Sequence, residues 1–387
     1  MEYRLTDEQR KTLELVREFG AKYFLPDEIN RWEKEQGVPD DVVRAFANLD
    51  FGPASLVTNR AKRDDLLFTI ALIVEELSRL AGTMLPFQLD LHNLWTLSEL
   101  ATGSLLDMVK REYERTGRLV FSIAVTEPGA GSDLRNMTTT VKRIGDKFVL
   151  NGRKTFVCNG EFTPFILVAA VDEEASEGQK YPAVTLWLVP YDLEGVRTFP
   201  IEKRAQRMLP FSDILFEDVE LSSEHFVAGG KDGFRQLLRF FEAGRCITCA
   251  SSLGMAQAAM EDAVKRAGSR IAFGVPIARL QQIEQMVTDM EVKIINMRNL
   301  VYRAARSRDE NRESSRLDIA LMKRYVPRAS VEVASDAMQI FGGTGYTENA
   351  RVFRIWENCR GNQIAEGTDE IMVHVAAPML VRKYADE

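Results

Sequence analysis

The chain has 387 residues, 45% of them hydrophobic and 28% charged, which is enough for two or three domains with a sizeable core. Its formal net charge of -7 argues against nucleic acid or an anionic membrane as the main partner. The apolar runs are too short to span a bilayer, and the four scattered cysteines do not suggest a disulfide framework. Residues 5–9 resemble a capped helix start rather than a signal or transit peptide, so we expect a reduced, cytoplasmic protein.

The first 118 residues predict a helical domain, because apolar residues recur there at helical spacing, as in Leu13, Val16 and Phe19. No motif in this part indicates chemistry. Its single histidine, His92, is interpreted as structural.

Residues 119–228 predict a middle domain of short strands separated by turn signals. Gly145-Asp146, Asn151-Gly152 and Glu194-Gly195 mark these turns, and Asn151-Gly152 is the strongest hairpin signal. Strands of this length and spacing favour an antiparallel barrel or sandwich. The patch at residues 172–180 is interpreted as a surface loop.

Residues 229–387 predict a second helical domain. The charged stretch at residues 307–316 is interpreted as a solvated turn, and a helix over residues 320–341 is expected to kink at Pro327 and to end at Gly342-Gly343. Cys246 and Cys249 follow an apolar helix face, which indicates core cysteines rather than a zinc site. We expect no metal site. The predicted fold class is therefore α+β with helical, β and helical domains.

A lone carboxylate near the end of the chain is the main candidate for catalysis. Glu366 lies on a short loop, Gln-Ile-Ala-Glu-Gly-Thr, that precedes a helix capped by Thr368. The cap and the acids that follow it have a structural explanation, whereas Glu366 has none. We therefore interpret Glu366 as a catalytic base.

Three further segments could hold a ligand. The turn Thr126-Glu-Pro-Gly-Ala-Gly-Ser-Asp133 exposes backbone N–H groups, and a tight turn is as good an interpretation as a ligand loop. Arg270 lies between two long helices, where it is either a solvated charge or a phosphate clamp. Gln-Ile-Phe-Gly-Gly-Thr-Gly, residues 339–345, has more glycine than a helix end requires.

Taken together and in this order, these motifs resemble the acyl-CoA dehydrogenase family of FAD flavoproteins. The resemblance extends over the whole chain and is weakest in the first hundred residues. It implies an N-terminal helical domain, a middle β-barrel-like domain, a C-terminal four-helix bundle, and a homotetramer or dimer with FAD at the subunit interface. It also implies an acyl-CoA substrate and an electron-transfer flavoprotein as partner.

The resemblance also assigns site residues. From the same chain it places the following beside FAD: Val125, Thr126, Gly131, Ser132, Phe156, Cys158, Thr368 and Glu370. From the neighbouring subunit it places Arg270, Phe273, Gln281, Gln339 and Gly343 there. Near the acyl-CoA it places Ser132, Glu242, Arg245 and Gly367.

The implied reaction is removal of the α-proton by Glu366 and transfer of the β-hydride to flavin N5, which yields a trans-2-enoyl-CoA. Some relatives carry the base just before the arginine that matches Arg245. That position is Gly244 here, which leaves Glu366 as the candidate.

Several residues depart from the usual family pattern. Cys158 stands in place of a hydroxyl residue, Glu370 in place of an amide, and Glu357-Asn358 where relatives often carry Arg-Asp. Residues 51–60 replace a Gly-rich segment. These departures leave open the enoyl-CoA reductase direction and a branched, aromatic or polar acyl group. A subunit that binds flavin or acyl-CoA without turnover is a hypothesis of a different class.

Overall fold

The computed structural model describes residues 4–50, 52, 65–100, 103–116, 121–161, 163–230, 233–348 and 350–385. The departing segment 51–60 lies outside the described residues except for Gly52, and so does the predicted domain boundary at residues 118 and 119. The three domain ranges stay a prediction.

The N-terminal part is helical, as predicted. Thr6 begins the first helix with a capping box, in which its hydroxyl accepts from Gln9 N at 3.1 Å and its own N–H donates to the Gln9 side chain at 3.0 Å. The helices are α1 (Asp7–Tyr23), α2 (Pro26–Glu35), α3 (Asp40–Ala47), α4 (Leu66–Ala81), α5 (Pro86–Leu100) and α6 (Gly103–Thr116).

The middle part is an eight-stranded sheet whose neighbouring strands run in the order β6-β7-β3-β2-β4-β5-β8, with β1 paired to β4. Most pairs are antiparallel, but β1 and β2 each pair with β4 in parallel, and the described strands do not close into a barrel. A short helix, α7 (Glu173–Ser176), lies within the patch that we predicted as a loop. The strands are β1 (Phe121–Ala124), β2 (Thr140–Ile144), β3 (Lys147–Cys158), β4 (Phe165–Asp172), β5 (Val184–Pro190), β6 (Val196–Ile201), β7 (Phe211–Leu221) and β8 (Phe226–Ala228).

The turn predicted at Asn151-Gly152 was wrong. Both residues lie inside β3, whereas the turn predicted at Gly145-Asp146 is confirmed and joins β2 to β3. Gly152 lies at a register shift in the pairing of β3 with β7, so the residue pair marks a bulge within a long strand.

The C-terminal part consists of long helices. They are α8 (Gly233–Ser269), α9 (Gln281–Asp309), α10 (Ser315–Phe341), α11 (Arg351–Asn362) and α12 (Asp369–Ala385), and a small hairpin of β9 (Ile271–Ala272) and β10 (Val275–Pro276) joins the first two. The helices α8 to α11 pack together as a bundle. None of the helices in the described part of the chain is long and apolar enough to cross a bilayer.

The solvated turn predicted at residues 307–316 was wrong in its first part. α9 continues to Asp309, and Ser307 is fully buried. The Asp309 carboxylate accepts from Leu67 N at 3.0 Å and from Phe68 N at 2.8 Å, so it caps α4 of the N-terminal part.

α4 connects the two helical parts. Nearly all of its residues are buried, and it packs along α8. Ser78 of α4 donates to Ser251 of α8 at 3.0 Å, and Glu75 accepts from Tyr302 of α9 at 2.8 Å. The N-terminal and C-terminal helices therefore share one core, which also fixes α5 against α8.

Candidate active site

The loop between α11 and α12 presents Glu366 in an unusual backbone conformation. Glu366 has φ 58° and Gly367 has φ 91°, both in the left-handed region that disfavours residues with a Cβ. Thr368 then caps α12, because its hydroxyl accepts from Ile371 N at 3.3 Å. The predicted cap is confirmed, and the strained turn before it directs the Glu366 side chain inward.

The Glu366 carboxyl group is poised between its two protonation states. Its Oε2 atom is buried and has no hydrogen-bond partner among the described residues. Burial raises the pKa of Glu366 to about 7, against the opposing effect of the Arg245 and Lys323 cations. A carboxyl group with this pKa is suited to accept a proton near neutral pH.

The two cations contact the backbone of the loop rather than the carboxylate. Arg245 Nε on α8 donates to the Glu366 carbonyl at 3.0 Å, and Lys323 Nζ on α10 donates to the Gly367 carbonyl at 3.0 Å. Lys323 is fully buried, and we did not single it out from the sequence. A charged residue among the buried positions Ile319, Met322 and Val326 of one helix is the signal that could have found it.

Gly244 on α8 faces the Glu366 carboxyl group directly. A Cβ at residue 244 would lie 2.6 Å from Glu366 Cδ and 3.0 Å from His92 Cε1. The alternative position for the base therefore overlaps the space that Glu366 fills. His92 on α5 lies on the same side, which its interpretation as a structural residue did not anticipate.

The turn at residues 126–133 is anchored by a buried ion pair that we did not predict. Lys154 donates to Glu127 at 2.7 Å and to the Val125 carbonyl at 3.0 Å, and both charged side chains are buried. Burial alone would raise the pKa of Glu127, but Lys154 and the Thr138 N–H outweigh it and lower the pKa to about 2. Gly131 and Ser132 beyond this anchor are exposed and available to a ligand.

The end of β3 forms an exposed face beside this turn. Thr155 N donates to the Thr126 carbonyl at 2.8 Å, so the next residue, Phe156, stands beside Thr126. Phe156 has φ 56° and a side chain that is 57% exposed. An exposed aromatic side chain next to Val125 and Thr126 fits a planar ring such as the isoalloxazine of FAD.

Cys158 links this face to the base. Burial raises the pKa of the Cys158 thiol. The Lys203 cation opposes this rise in pKa, and the Glu366 carboxylate adds to it. The thiol therefore lies within electrostatic reach of both charged groups. Lys203 Nζ stands 3.7 Å from the centroid of the Phe211 ring and has no hydrogen-bond partner among the described residues. The sequence reasoning missed Lys203.

The residues assigned to a neighbouring subunit's FAD all lie on the surface of the chain. They are Arg270, Phe273, Gln281, Gln339 and Gly343. Phe273 is 93% exposed and has φ 53°. Arg270 and Phe273 lie at the hairpin between α8 and α9, Gln281 begins α9, and Gln339 and Gly343 lie at the end of α10 and just after it. None of them has a described hydrogen bond to Glu366.

Glu242, Asn358 and Glu370 were also singled out from the sequence, the first as a substrate residue and the other two as departures from the family pattern. Glu242 is half-buried and pairs with Arg308 at 3.5 Å. Asn358 is buried, accepts from Gln206 N at 2.6 Å and donates to Thr83 at 2.9 Å, so it ties α11 to the middle domain and to the turn before α5. Glu370 is exposed, and its own backbone N–H and the Thr368 hydroxyl lower its pKa.

The Glu366 carboxyl group thus lies beside residues of α5 and α8, within electrostatic reach of Cys158 at the end of the strand that carries the exposed Phe156. This arrangement combines a group able to accept a proton near neutral pH with a surface suited to a planar ring.

Comparison with known proteins identifies the family. Two family models match, the acyl-CoA dehydrogenase middle domain at residues 122–219 and the C-terminal domain at residues 231–380. A probable acyl-CoA dehydrogenase of Escherichia coli K12, YdiO, is 34% identical over 388 residues and covers 100% of both chains. The chain belongs to the acyl-CoA dehydrogenase family, as its motifs predicted.

Solved structures agree with this assignment. An acyl-CoA dehydrogenase from Slackia heliotrinireducens is 46% identical, with a TM-score of 0.88 and coverage of 100% of both chains. A chain from a structure described as the electron transferring flavoprotein of Acidaminococcus fermentans is 27% identical, with a TM-score of 0.82, and covers 99% of this chain and 100% of that chain. The protein is thus a FAD-dependent oxidoreductase that acts on a CH–CH group.

Proposed function

We propose that the enzyme removes the α-proton and the β-hydride of an acyl-CoA thioester to give a trans-2-enoyl-CoA, and that Glu366 is the base. The observation that carries this proposal is the buried Oε2 of Glu366, which has no hydrogen-bond partner in the described part of the chain, together with the pKa of about 7 of this residue. The α-hydrogen of a thioester is a weak acid, so a base in a site sheltered from water is required.

The loop also offers a group for the thioester carbonyl. The Glu366 N–H makes no hydrogen bond within the described residues, so it can donate to the oxygen where negative charge develops. Arg245 and Lys323 hold in place the two carbonyls that directly follow this N–H along the chain. A donor fixed before the substrate binds needs no reorganisation during the reaction.

The residues that would hold FAD are Val125, Thr126, Phe156 and Cys158 around the ring, and Gly131, Ser132, Thr368 and Glu370 elsewhere on the same chain. FAD, when bound, supplies the acceptor for the β-hydride. The exposed set that contains Arg270 and Phe273 is proposed to bind FAD of a neighbouring subunit, which requires a homo-oligomer.

The proposal extends to the partner, the direction of the reaction and the location of the enzyme. An electron-transferring flavoprotein is the proposed partner, supported by the name of the Acidaminococcus structure. The physiological direction is either dehydrogenation or enoyl-CoA reduction, and the cytoplasmic location is a prediction from the sequence. A retained base argues against the binding subunit without turnover.

The substitution Glu366→Gln tests the proposed base. We expect the variant to keep bound flavin but to lose the bleaching of flavin absorbance on anaerobic titration with acyl-CoA esters, with a reduction rate lower by at least about 100-fold. Glu348→Gln, the same change at an exposed carboxylate, serves as the control and should behave as wild type.

Two outcomes would contradict the proposal. Full bleaching of Glu366→Gln by the same esters would show that another group is the base. A wild-type protein whose flavin no acyl-CoA ester bleaches would favour the binding subunit without turnover.

A further inference from the structure

The segment between β6 and β7 contains a buried ammonium group that the proposed mechanism does not use. Lys203 Nζ is buried, and none of the described residues offers it a hydrogen-bond acceptor. The carboxylate that acts on it electrostatically is Glu33 of α2. That carboxylate is engaged elsewhere, because it accepts from the Thr83 hydroxyl at 2.9 Å and lies 3.9 Å from Arg354 Nε. The charge of Lys203 therefore has no direct counter-charge in the described part of the chain.

Two aromatic rings fix the position of this charge relative to the candidate site. Lys203 Nζ lies 3.7 Å from the centroid of the Phe211 ring, at the start of β7. Phe211 pairs with Cys158 in the ladder of β3 and β7, and its ring centroid lies 6.2 Å from that of Phe156. Nζ is therefore within 9.9 Å of the Phe156 centroid, the sum of the two distances.

A charge at this distance acts on a planar ring placed against Phe156. FAD that takes up two electrons and one proton gains one negative charge, whereas the oxidised ring is neutral. At an effective dielectric constant of about 20, a cation about 12 Å from that charge shifts the equilibrium between the two forms by about 10-fold. A cation at Lys203 favours the reduced form.

A buried charge without a partner costs free energy, and buried polar groups are nearly always paired, so an exception indicates a functional role. We propose that Lys203 stabilises the reduced, anionic form of the bound flavin through space, and so sets how readily the site accepts electrons. In turnover the acyl-CoA loses two electrons and two protons. One proton goes to Glu366, the other goes with both electrons to FAD, and Lys203 keeps its own protons. This inference rests on the proposed function, because it requires FAD beside Phe156.

The equilibrium between oxidised and reduced flavin tests the role of the charge. Bound FAD is reduced anaerobically with dithionite against a reference dye at pH 7, without acyl-CoA. Lys203 is charged at this pH, since burial lowers its pKa only to about 8 against the effects of Cys158 and Glu33. We expect Lys203→Met and Lys203→Gln each to lower the ratio of reduced to oxidised flavin at a fixed potential by about 10-fold.

Two further variants separate charge from packing. Lys203→Arg retains a positive charge and should keep the ratio within about 2-fold of wild type. Lys383→Met removes another lysine that lies over an aromatic ring, 5.0 Å from the Tyr384 centroid, at the exposed end of α12. It should leave the ratio unchanged. Flavin content and melting temperature report whether each variant folds.

Several results would overturn the inference. One is an unchanged ratio in Lys203→Met or Lys203→Gln, and another is an equal fall in Lys203→Arg, which would indicate packing. Loss of FAD from both uncharged variants would show that the charge serves the fold or the neutral oxidised ring. Wild-type protein that takes up no FAD would remove the proposed function as well. Wild-type flavin that dithionite reduces but no acyl-CoA ester does would contradict the proposed function alone.

Discussion

Glu366 is costly to the fold in two ways. Its backbone is left-handed, and its buried carboxylate has no hydrogen-bond partner in the described residues. A non-glycine residue in this conformation costs about 1–2 kcal/mol. Costs of this kind concentrate at functional sites, because the surrounding structure enforces a conformation that the residue itself disfavours.

The pKa of Glu366 predicts how stability depends on pH. Because burial raises the folded pKa from 4.5 to about 7, the protonated form is the one that suits the fold. The contribution of Glu366 to the free energy of unfolding is fully present below pH 4.5 and is lost as the pH rises through 7. Glu366→Gln lacks this titration. We therefore expect the melting temperature of wild type to fall relative to that of the variant as the pH rises from 4.5 to 7. A melting difference that does not change with pH would contradict this.

Two elements compete for the position of the base. The position of a Cβ at residue 244 on α8 lies 2.6 Å from Glu366 Cδ, so a glutamate on α8 would bring its carboxylate to nearly the same place. We expect Glu366→Gly alone to be inactive and its combination with Gly244→Glu to regain at least about a tenth of the wild-type rate of flavin reduction. Gly244→Glu without Glu366→Gly should reduce its flavin slowly, because two carboxyl groups then occupy the same space. A double variant as inactive as Glu366→Gly would refute this expectation.

The cap on α4 couples the two helical parts. We expect Asp309→Ala to lower the free energy of unfolding by about 1–2 kcal/mol, because Leu67 N and Phe68 N lose their acceptor. Chemical denaturation measures this loss. Glu310→Ala removes the neighbouring exposed carboxylate and should change stability by less than about 0.5 kcal/mol. An equal effect of both variants would indicate that general charge, rather than the cap, matters.

Periodicity and turn signals predicted the order of the parts and the loop of Glu366, because both depend on local sequence. They did not predict the interactions that depend on distant contacts. Asp309 was interpreted as part of a solvated turn, since its partners at Leu67 and Phe68 are far away in the sequence. The ion pair of Glu127 and Lys154 was missed for the same reason, and Gly152 suggested a turn because a bulge has the same local chemistry.

At the scale of the whole molecule, the proposal that the exposed set around Arg270 binds the FAD of a neighbouring subunit means that one subunit completes the site of another. We expect coexpression of Glu366→Gln chains with Arg270→Glu chains to restore activity. In a mixed oligomer, one site combines the intact Glu366 of one chain with the intact Arg270 of the other. Each variant alone should be nearly inactive, the first through its base and the second through loss of FAD.

Purified mixed oligomers, tagged differently on the two chains, provide the measurement. Activity no higher than the sum of the two separate variants would show that Arg270 serves its own chain. Coexpressed Glu366→Gln and Glu348→Gln chains provide the control for the mixing itself, since there each oligomer is expected to contain intact Arg270 throughout.

The hydrogen bonds that hold the loop between α11 and α12 involve its backbone and not the Glu366 carboxyl group. Arg245 and Lys323 donate to the carbonyls of residues 366 and 367, and neither makes a described hydrogen bond to the carboxylate itself. The backbone of Glu366 is therefore fixed from two helices, while its carboxyl group takes no part in the hydrogen bonds of these cations. Uptake or release of a proton by the carboxyl group therefore breaks neither of the hydrogen bonds that hold the loop.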